Sequence, residues 1–189
     1  MSSAMPRLWT LAEFLDWEAG EPERYEYLDG VIRMMTGGTV DHATIRLNVA
    51  AGLLPGVRAR RCRIFDEGPK LVGNSFSMYP DVMVTCKPPD PKAAFVTEPV
   101  LIVEVLSRST ESYDRGAKWR AYQSIATLVH GVFISQDEVK VQVYTREGAL
   151  WRFEVFDDLA LDLDLPAIGC SLPLADIYRE TSLDPAALR

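Results

Sequence analysis

The chain has 189 residues, 48% of them hydrophobic and 25% charged, with a formal net charge of −7. This balance excludes a disordered chain, and the length is enough to bury a core without disulfide or metal staples. The acidic sign argues against a protein that grips nucleic acid with its whole surface, while leaving room for a local basic groove such as Arg58-Arg60-Arg61-Arg63 or Arg108-Arg115-Lys118-Arg120.

Thr10-Leu-Ala-Glu13 reads as a capping box, so a short helix is expected to follow and to end near Gly20. Tyr25–Leu28 and Val31–Met35 flank Asp29-Gly30, a hairpin signal, and Thr36–Thr39 reads as a loop. Asp41 can cap a second helix reaching about Leu54, with Ala43, Leu47, Ala50, Ala51 and Leu54 as its apolar face and Pro55-Gly56 as its stop. Strands are predicted at Cys62–Phe65, Lys70–Val72 and Val82–Cys86, then a proline-rich loop over Lys87–Pro91. Val100–Leu106 is apolar on both faces, as a central strand should be. Ser107–Thr110 turns the chain into a helix over about Ser112–Ile125. A strand at Val129–Ser135, a hairpin of Val139–Tyr144 with Leu150–Phe156, and a Leu/Asp-rich tail complete the chain. The order predicts an α/β or α+β class, with a mixed sheet flanked by helices in one domain spanning 1–189, its core about 10–178.

Met1–Trp9 has no secretory pattern, and no run approaches the ~18 apolar residues of a membrane span, so a soluble cytoplasmic protein without a membrane partner is expected. Cys62, Cys86 and Cys170 are odd in number and lack a CxxC pair, which in that setting predicts three reduced thiols.

Glu104 is the residue that packing explains least. Alternation puts it on one face with Val100, Ile102 and Leu106, and burying an ionised carboxylate costs several kcal/mol unless it is paired or metal-bound. It is either a strand-end glutamate reaching solvent or a core arginine, or a metal ligand or acid/base. Asp81 follows Pro80 at the head of a strand, and two carboxylates on adjacent strands can converge on one hard cation. Lys118 stands i, i+4 from Asp114, so it forms either an exposed pair or a cation turned back toward the carboxylates. Glu26 is either a half-exposed strand residue or a further member of the acidic group, and His42 a capping or packing histidine or a base. Ser107 lacks a GxSxG elbow, against a serine hydrolase.

Tyr25-Glu-Tyr-Leu-Asp-Gly30, His42 at a helix start, Tyr79-Pro-Asp81, Val103–Lys118 continuing to Tyr122, Leu165–Gly169 and Asp176-Ile-Tyr178 together resemble the bacterial Uma family of restriction-endonuclease-like proteins, within the PD-(D/E)xK superfamily. The resemblance implies a restriction-endonuclease-like fold and a Mg2+-dependent endonuclease, with Mn2+ as a substitute, hydrolysing phosphodiester bonds in DNA. It puts Asp81, Glu104 and the Val105 carbonyl on the metal, Lys118 beside the phosphate or the attacking water, and Glu26 at a further acidic position. The standard motif has its lysine two residues after the second carboxylate, where this chain has Leu106; Lys118 on the following helix is the substitute. That departure keeps alive a catalytically inactive binding or regulatory module, and a hydrolase of small phosphoesters is a third reading. A homodimer through the Val139–Phe156 hairpin is also expected.

Overall fold

The computed structural model describes residues 8–35, 37–108 and 111–187. Most of the Met1–Trp9 start, Thr36 of the predicted loop and Ser109-Thr110 of the predicted turn therefore lie outside the described residues.

Thr10 and Glu13 close the capping box reciprocally, starting helix α1 at Leu11–Glu18. Strands β1 (Tyr25–Leu28) and β2 (Val31–Met34) pair around Asp29-Gly30, where both turn residues have positive φ. Helix α2 spans Val40–Ala59 and is capped by Thr39, whose hydroxyl accepts from the His42 N–H at 3.1 Å. Both limits differ from expectation. Asp41 instead holds Ser182 through backbone and hydroxyl, and the helix runs through Pro55-Gly56. The buried stripe is Ile45, Val49, Leu53 and Val57, not the predicted face, and Leu47 is exposed. A regular i, i+4 apolar row extending beyond Pro55 outweighs the one backbone hydrogen bond that the proline removes.

Strands β3 (Arg63–Asp66), β4 (Lys70–Val72), β5 (Phe76–Met78), β6 (Val82–Thr85), β7 (Phe95–Val96) and β8 (Leu101–Leu106) follow. The chain then forms α3 (Glu111–Tyr113), a π-helical turn (Asp114–Lys118) and α4 (Trp119–Gln123), in place of one regular helix. After β9 (His130–Ser135) come the hairpin β10 (Val141–Glu147) and β11 (Leu150–Phe156), the hairpin β12 (Asp162–Leu165) and β13 (Cys170–Pro173), and α5 (Leu174–Ile177).

The strands form a six-stranded sheet ordered β11-β10-β9-β8-β6-β3 and a five-stranded sheet ordered β2-β1-β5-β4-β7. β8 runs parallel to β9 and antiparallel to β6, so the fold is a mixed α+β architecture with β8 at its centre. Alternation along β8 divides the core. Leu101, Val103 and Val105 pack with α2 and the C-terminal hairpin, whereas Ile102 and Leu106 face α4 and the five-stranded sheet. Glu104 belongs to this second face. The predicted tail is thus part of the core, with Leu163, Leu172 and Ile177 packed on the α2 side.

The reading of three reduced thiols is corrected. Cys62 and Cys86, one step beyond the Arg63–Thr85 pair of β3 and β6, form a disulfide, and Cys170 alone keeps its thiol. The antiparallel register brings their Cα atoms to 4.0 Å across a sequence separation of 24, which spacing does not reveal. Among the described residues no helix is long and apolar enough to cross a membrane.

Candidate active site

The site forms where the two sheets meet the start of α2. β8 carries Glu104 into the interior, 4% exposed. Its Oε1 accepts from the Tyr122 hydroxyl at 2.5 Å and lies 3.1 Å from Lys118 Nζ. Lys118 also stands 3.0 Å from Glu26 Oε1 and 3.4 Å from Asp114 Oδ1. Glu26, on β1 of the five-stranded sheet, is fixed in turn by the Tyr79 N–H at 3.2 Å. One ammonium thus ties three carboxylates from three segments, all buried.

The turn that delivers Lys118 is wider than an α-helix, and such π turns recur at functional sites. Gly131 on β9 makes its placement possible. A Cβ there would stand 2.4 Å from the Trp119 ring, so only glycine lets Trp119 lie on the sheet and set Lys118 beside Glu104.

Asp81, at the head of β6, accepts from the Val105 N–H through Oδ2 at 2.7 Å. The same oxygen is 3.5 Å from His42 Nε2, and His42 also bonds to the Val105 backbone. The first turn of α2 therefore aims an imidazole at the carboxylate and peptide group that the sequence marked as metal ligands. Burial disfavours the imidazolium, but the Asp81 carboxylate outweighs it and raises the His42 pKa above its ordinary value.

Burial raises the Glu104 carboxyl well above the usual range, opposed by Lys118 and reinforced by Asp114, Asp81 and Glu26. Burial also works against the Lys118 ammonium, but Glu104 and Glu26 outweigh it and hold the lysine firmly charged. The Tyr122 phenol is raised well above normal by burial and by Glu104, and the Tyr113 phenol to about 12 by burial and Glu26. Both phenols therefore keep their protons at neutral pH, and Tyr122 donates its own to Glu104.

These residues open onto one cavity of about 490 Å³. Asp81, Glu104, Val105, Lys118, Glu26 and His42 all line it, and Arg33, Arg108 and Tyr113 lie on its wall. At 4.3 Å, the Arg33 guanidinium stacks on Tyr113. Six carboxylates line the cavity (Glu26, Glu67, Asp81, Glu104, Asp114, Asp137) against three cations (Arg33, Arg108, Lys118), so an anionic substrate would need a further positive charge there.

Asp81, Glu104 and the Val105 backbone make a hard oxygen donor set of the kind Mg2+ uses, which relies on one or two carboxylates and keeps several waters. Among the described residues no three His, Cys, Asp or Glu side chains form a ready-made metal cage. Two carboxylates and a carbonyl are too few for a structural zinc centre, which is closed by four Cys or His ligands.

All four residues expected to carry chemistry (Asp81, Glu104, Lys118 and Glu26) face this cavity, and the bland alternatives for Glu104, Lys118 and Glu26 as exposed groups do not hold. Sequence reasoning gave no role to Tyr122 and left His42 open between a capping or packing residue and a base. The i, i+4, i+8 series Asp114-Lys118-Tyr122 was the available signal for Tyr122. Neither basic cluster forms a groove at the site. Arg108 and Arg115 pair with Asp137 and Glu111 and Lys118 is buried, while Arg58–Arg63 sits at the far end of α2, roughly 25 Å from His42 by helix rise.

Comparison with known proteins settles the kinship. The Uma2 family, described as "Putative restriction endonuclease", matches residues 11–175. The chain belongs to this family. Among the relatives of this Uma2 chain, the uncharacterized protein slr1290 of Synechocystis is 34% identical over 185 residues, covering 94% of this chain and 95% of that one. The uncharacterized protein sll1609 of the same organism is 32% identical over 153 residues, covering 78% and 86%. The crystal structure of a "putative nuclease belonging to DUF820" from Anabaena variabilis superposes with a TM-score of 0.76 at 23% identity, covering 90% of this Uma2 chain and 97% of that one. The restriction-endonuclease-like fold expected from the sequence is thereby borne out.

Proposed function

We propose that this Uma2 chain is a Mg2+-dependent endonuclease that hydrolyses phosphodiester bonds in DNA. One observation carries the reading: carboxylates from β6 and β8 and a buried ammonium from the π turn line a single cavity, 3.1 Å separating Lys118 from Glu104. Asp81, Glu104 and the Val105 carbonyl would hold Mg2+, or Mn2+ in its place. When bound, the ion supplies a Lewis acid for the phosphate and a water of lowered pKa.

Lys118 would lend its proton-bearing Nζ to a phosphate oxygen or to the attacking water, since its pKa is too high for it to act as a base. Glu26 and Asp114 hold that nitrogen in place and limit its freedom to swing away. Tyr122 donates to Glu104 and fixes the carboxylate's orientation. Arg33 and Arg108 on the cavity wall would receive flanking phosphates.

The test is nicking of supercoiled plasmid with and without Mg2+ or Mn2+. Asp81→Asn and Glu104→Gln should each cut the rate by at least about 100-fold, and Lys118→Ala by a similar factor, as removal of a positioned charge does. A wild-type protein inert toward every DNA form with either metal refutes the reading. The second reading, an inactive binding module, draws on Leu106, which packs 3% exposed where the standard motif has its lysine. Calorimetry decides between them: Mn2+ binding lost in Asp81→Asn supports the enzyme, and no Mn2+ binding supports the module.

A further inference from the structure

Strand β11 is the outer edge of the six-stranded sheet, seven residues long and without proline. Its free edge can be read from its neighbours. Just before β10 the Lys140 carbonyl accepts from Ser135, and on β10 the Arg146 N–H donates to Val129, so the even-numbered residues bond toward β9. The odd residues Val141, Val143, Thr145 and Glu147 then bond to Phe156, Glu154, Arg152 and Leu150 of β11. By the same alternation, the peptide groups of Trp151, Phe153 and Val155 turn outward.

The side chains on this edge are equally unfinished. Phe153 is 48% exposed and Val155 44%, yet they continue an aromatic row from the core: Trp151 meets Trp119 at 4.8 Å and Phe153 meets Tyr144 at 4.8 Å. On the opposite face, Arg152 and Glu154 stand two residues apart as neighbouring opposite charges.

We propose that β11 pairs antiparallel with β11 of a second copy, centred on Phe153. Charge complementarity identifies the occupant. In that register Arg152 of each copy faces Glu154 of the other, twice over, and the outward peptide groups of Trp151, Phe153 and Val155 bond in pairs. Shifting the centre one residue either way sets arginine against arginine or glutamate against glutamate. The strand is thus complementary to itself, as a twofold interface requires. Pairing joins both six-stranded sheets into one and sets the two Phe153 rings side by side, closing an edge that would otherwise invite uncontrolled strand addition. This inference stands apart from the hydrolytic reading, because β11 contributes no residue to the cavity.

The test is light scattering on the full chain at high micromolar concentration. Wild type should run at twice the 21.1 kDa chain mass. Arg152→Glu and Glu154→Arg should each run as monomers, since each sets like charges opposite, and mixing the two should restore the double mass as a heterodimer. Phe153→Cys should form an interchain disulfide under mild oxidation, whereas Trp151→Cys, which faces Val155 of the other copy, should not. Thermal melts of each variant check that it folds. A monomeric wild type overturns the proposal. So does a dimer that survives both charge changes, or one in which Phe153→Cys fails to cross-link.

Discussion

Burial penalises the Glu104 carboxylate, while Lys118 and Tyr122 are placed to hold it, and the two partners predict opposite consequences of mutation. Lys118→Met leaves Glu104 and Glu26 buried without their cation, so stability should drop by about 3–5 kcal/mol in urea unfolding. Glu104→Gln keeps a group that can accept from Tyr122 and relieves the crowding of three carboxylates around one ammonium. It should therefore fold as stably as wild type or up to about 2 kcal/mol more so, even as nicking is lost. A Glu104→Gln protein as unstable as Lys118→Met would contradict this account of the cluster. His130 is a separate residue-scale case. It is fully buried, with Nδ1 3.2 Å from Thr145 Oγ1, and Nε2 accepts from the Ala167 N–H at 3.4 Å. Burial, then Arg152, lowers its pKa to about 4, below the 6.5 of an unfolded chain. Its contribution is complete above pH 6.5 and is lost as pH falls toward 4, a change of order 3 kcal/mol. Urea midpoints at pH 7.5 and 4.5 should differ less in His130→Gln than in wild type. Glu104 was legible from sequence because a carboxylate inside an apolar strand is conspicuous. His42 was legible only as a pair of alternatives, because a histidine in the first turn of a helix looks the same in sequence whether it packs, caps or faces Asp81.

At the scale of elements, the decisive joint is the contact between α4 and β9. Gly131→Ala would drive a methyl group into Trp119, and Trp119 is the residue after Lys118. The expected cost is about 1–3 kcal/mol of stability, from overpacking. Nicking should fall further than stability, because the displaced helix carries the ammonium with it. Equal activity per folded molecule in Gly131→Ala would show that Lys118 does not depend on this joint. Long or strongly patterned elements were readable: β8 from its apolar run, α1 from its capping box, and β10–β11 from paired β-runs. Those that sequence missed have physical reasons for silence. β5 and β7 are only three and two residues long and owe their shape to neighbours in the sheet. The π turn has the same apolar spacing as a short helix until tertiary contacts widen it. Pro55 gave a false stop because local propensity was weighed without the packing of Val57 beyond it.

Across the whole molecule, the Cys62–Cys86 bond clasps β3 to β6, the strand that Asp81 opens. Its closed loop of 24 residues corresponds to about 3–4 kcal/mol in the chain-entropy account. Reduction should lower the urea midpoint accordingly, and Cys62→Ser should reproduce the loss without reductant. An unchanged midpoint on reduction would mean that the strand pairing alone holds this edge. The restriction-endonuclease-like architecture was legible as a whole because the motif residues recur over nearly the full length, whereas the disulfide depends on a register that no spacing encodes. The ion cluster has one further consequence. Glu26 and Lys118 touch although 92 residues of chain separate them, and Asp81 and Glu104 come from between. Without the π turn Glu26 and Glu104 would lack their shared ammonium. The shared ammonium reaches its carboxylates only once segments far apart in the chain have met, so the cluster is a product of long-range pairing rather than of any local motif.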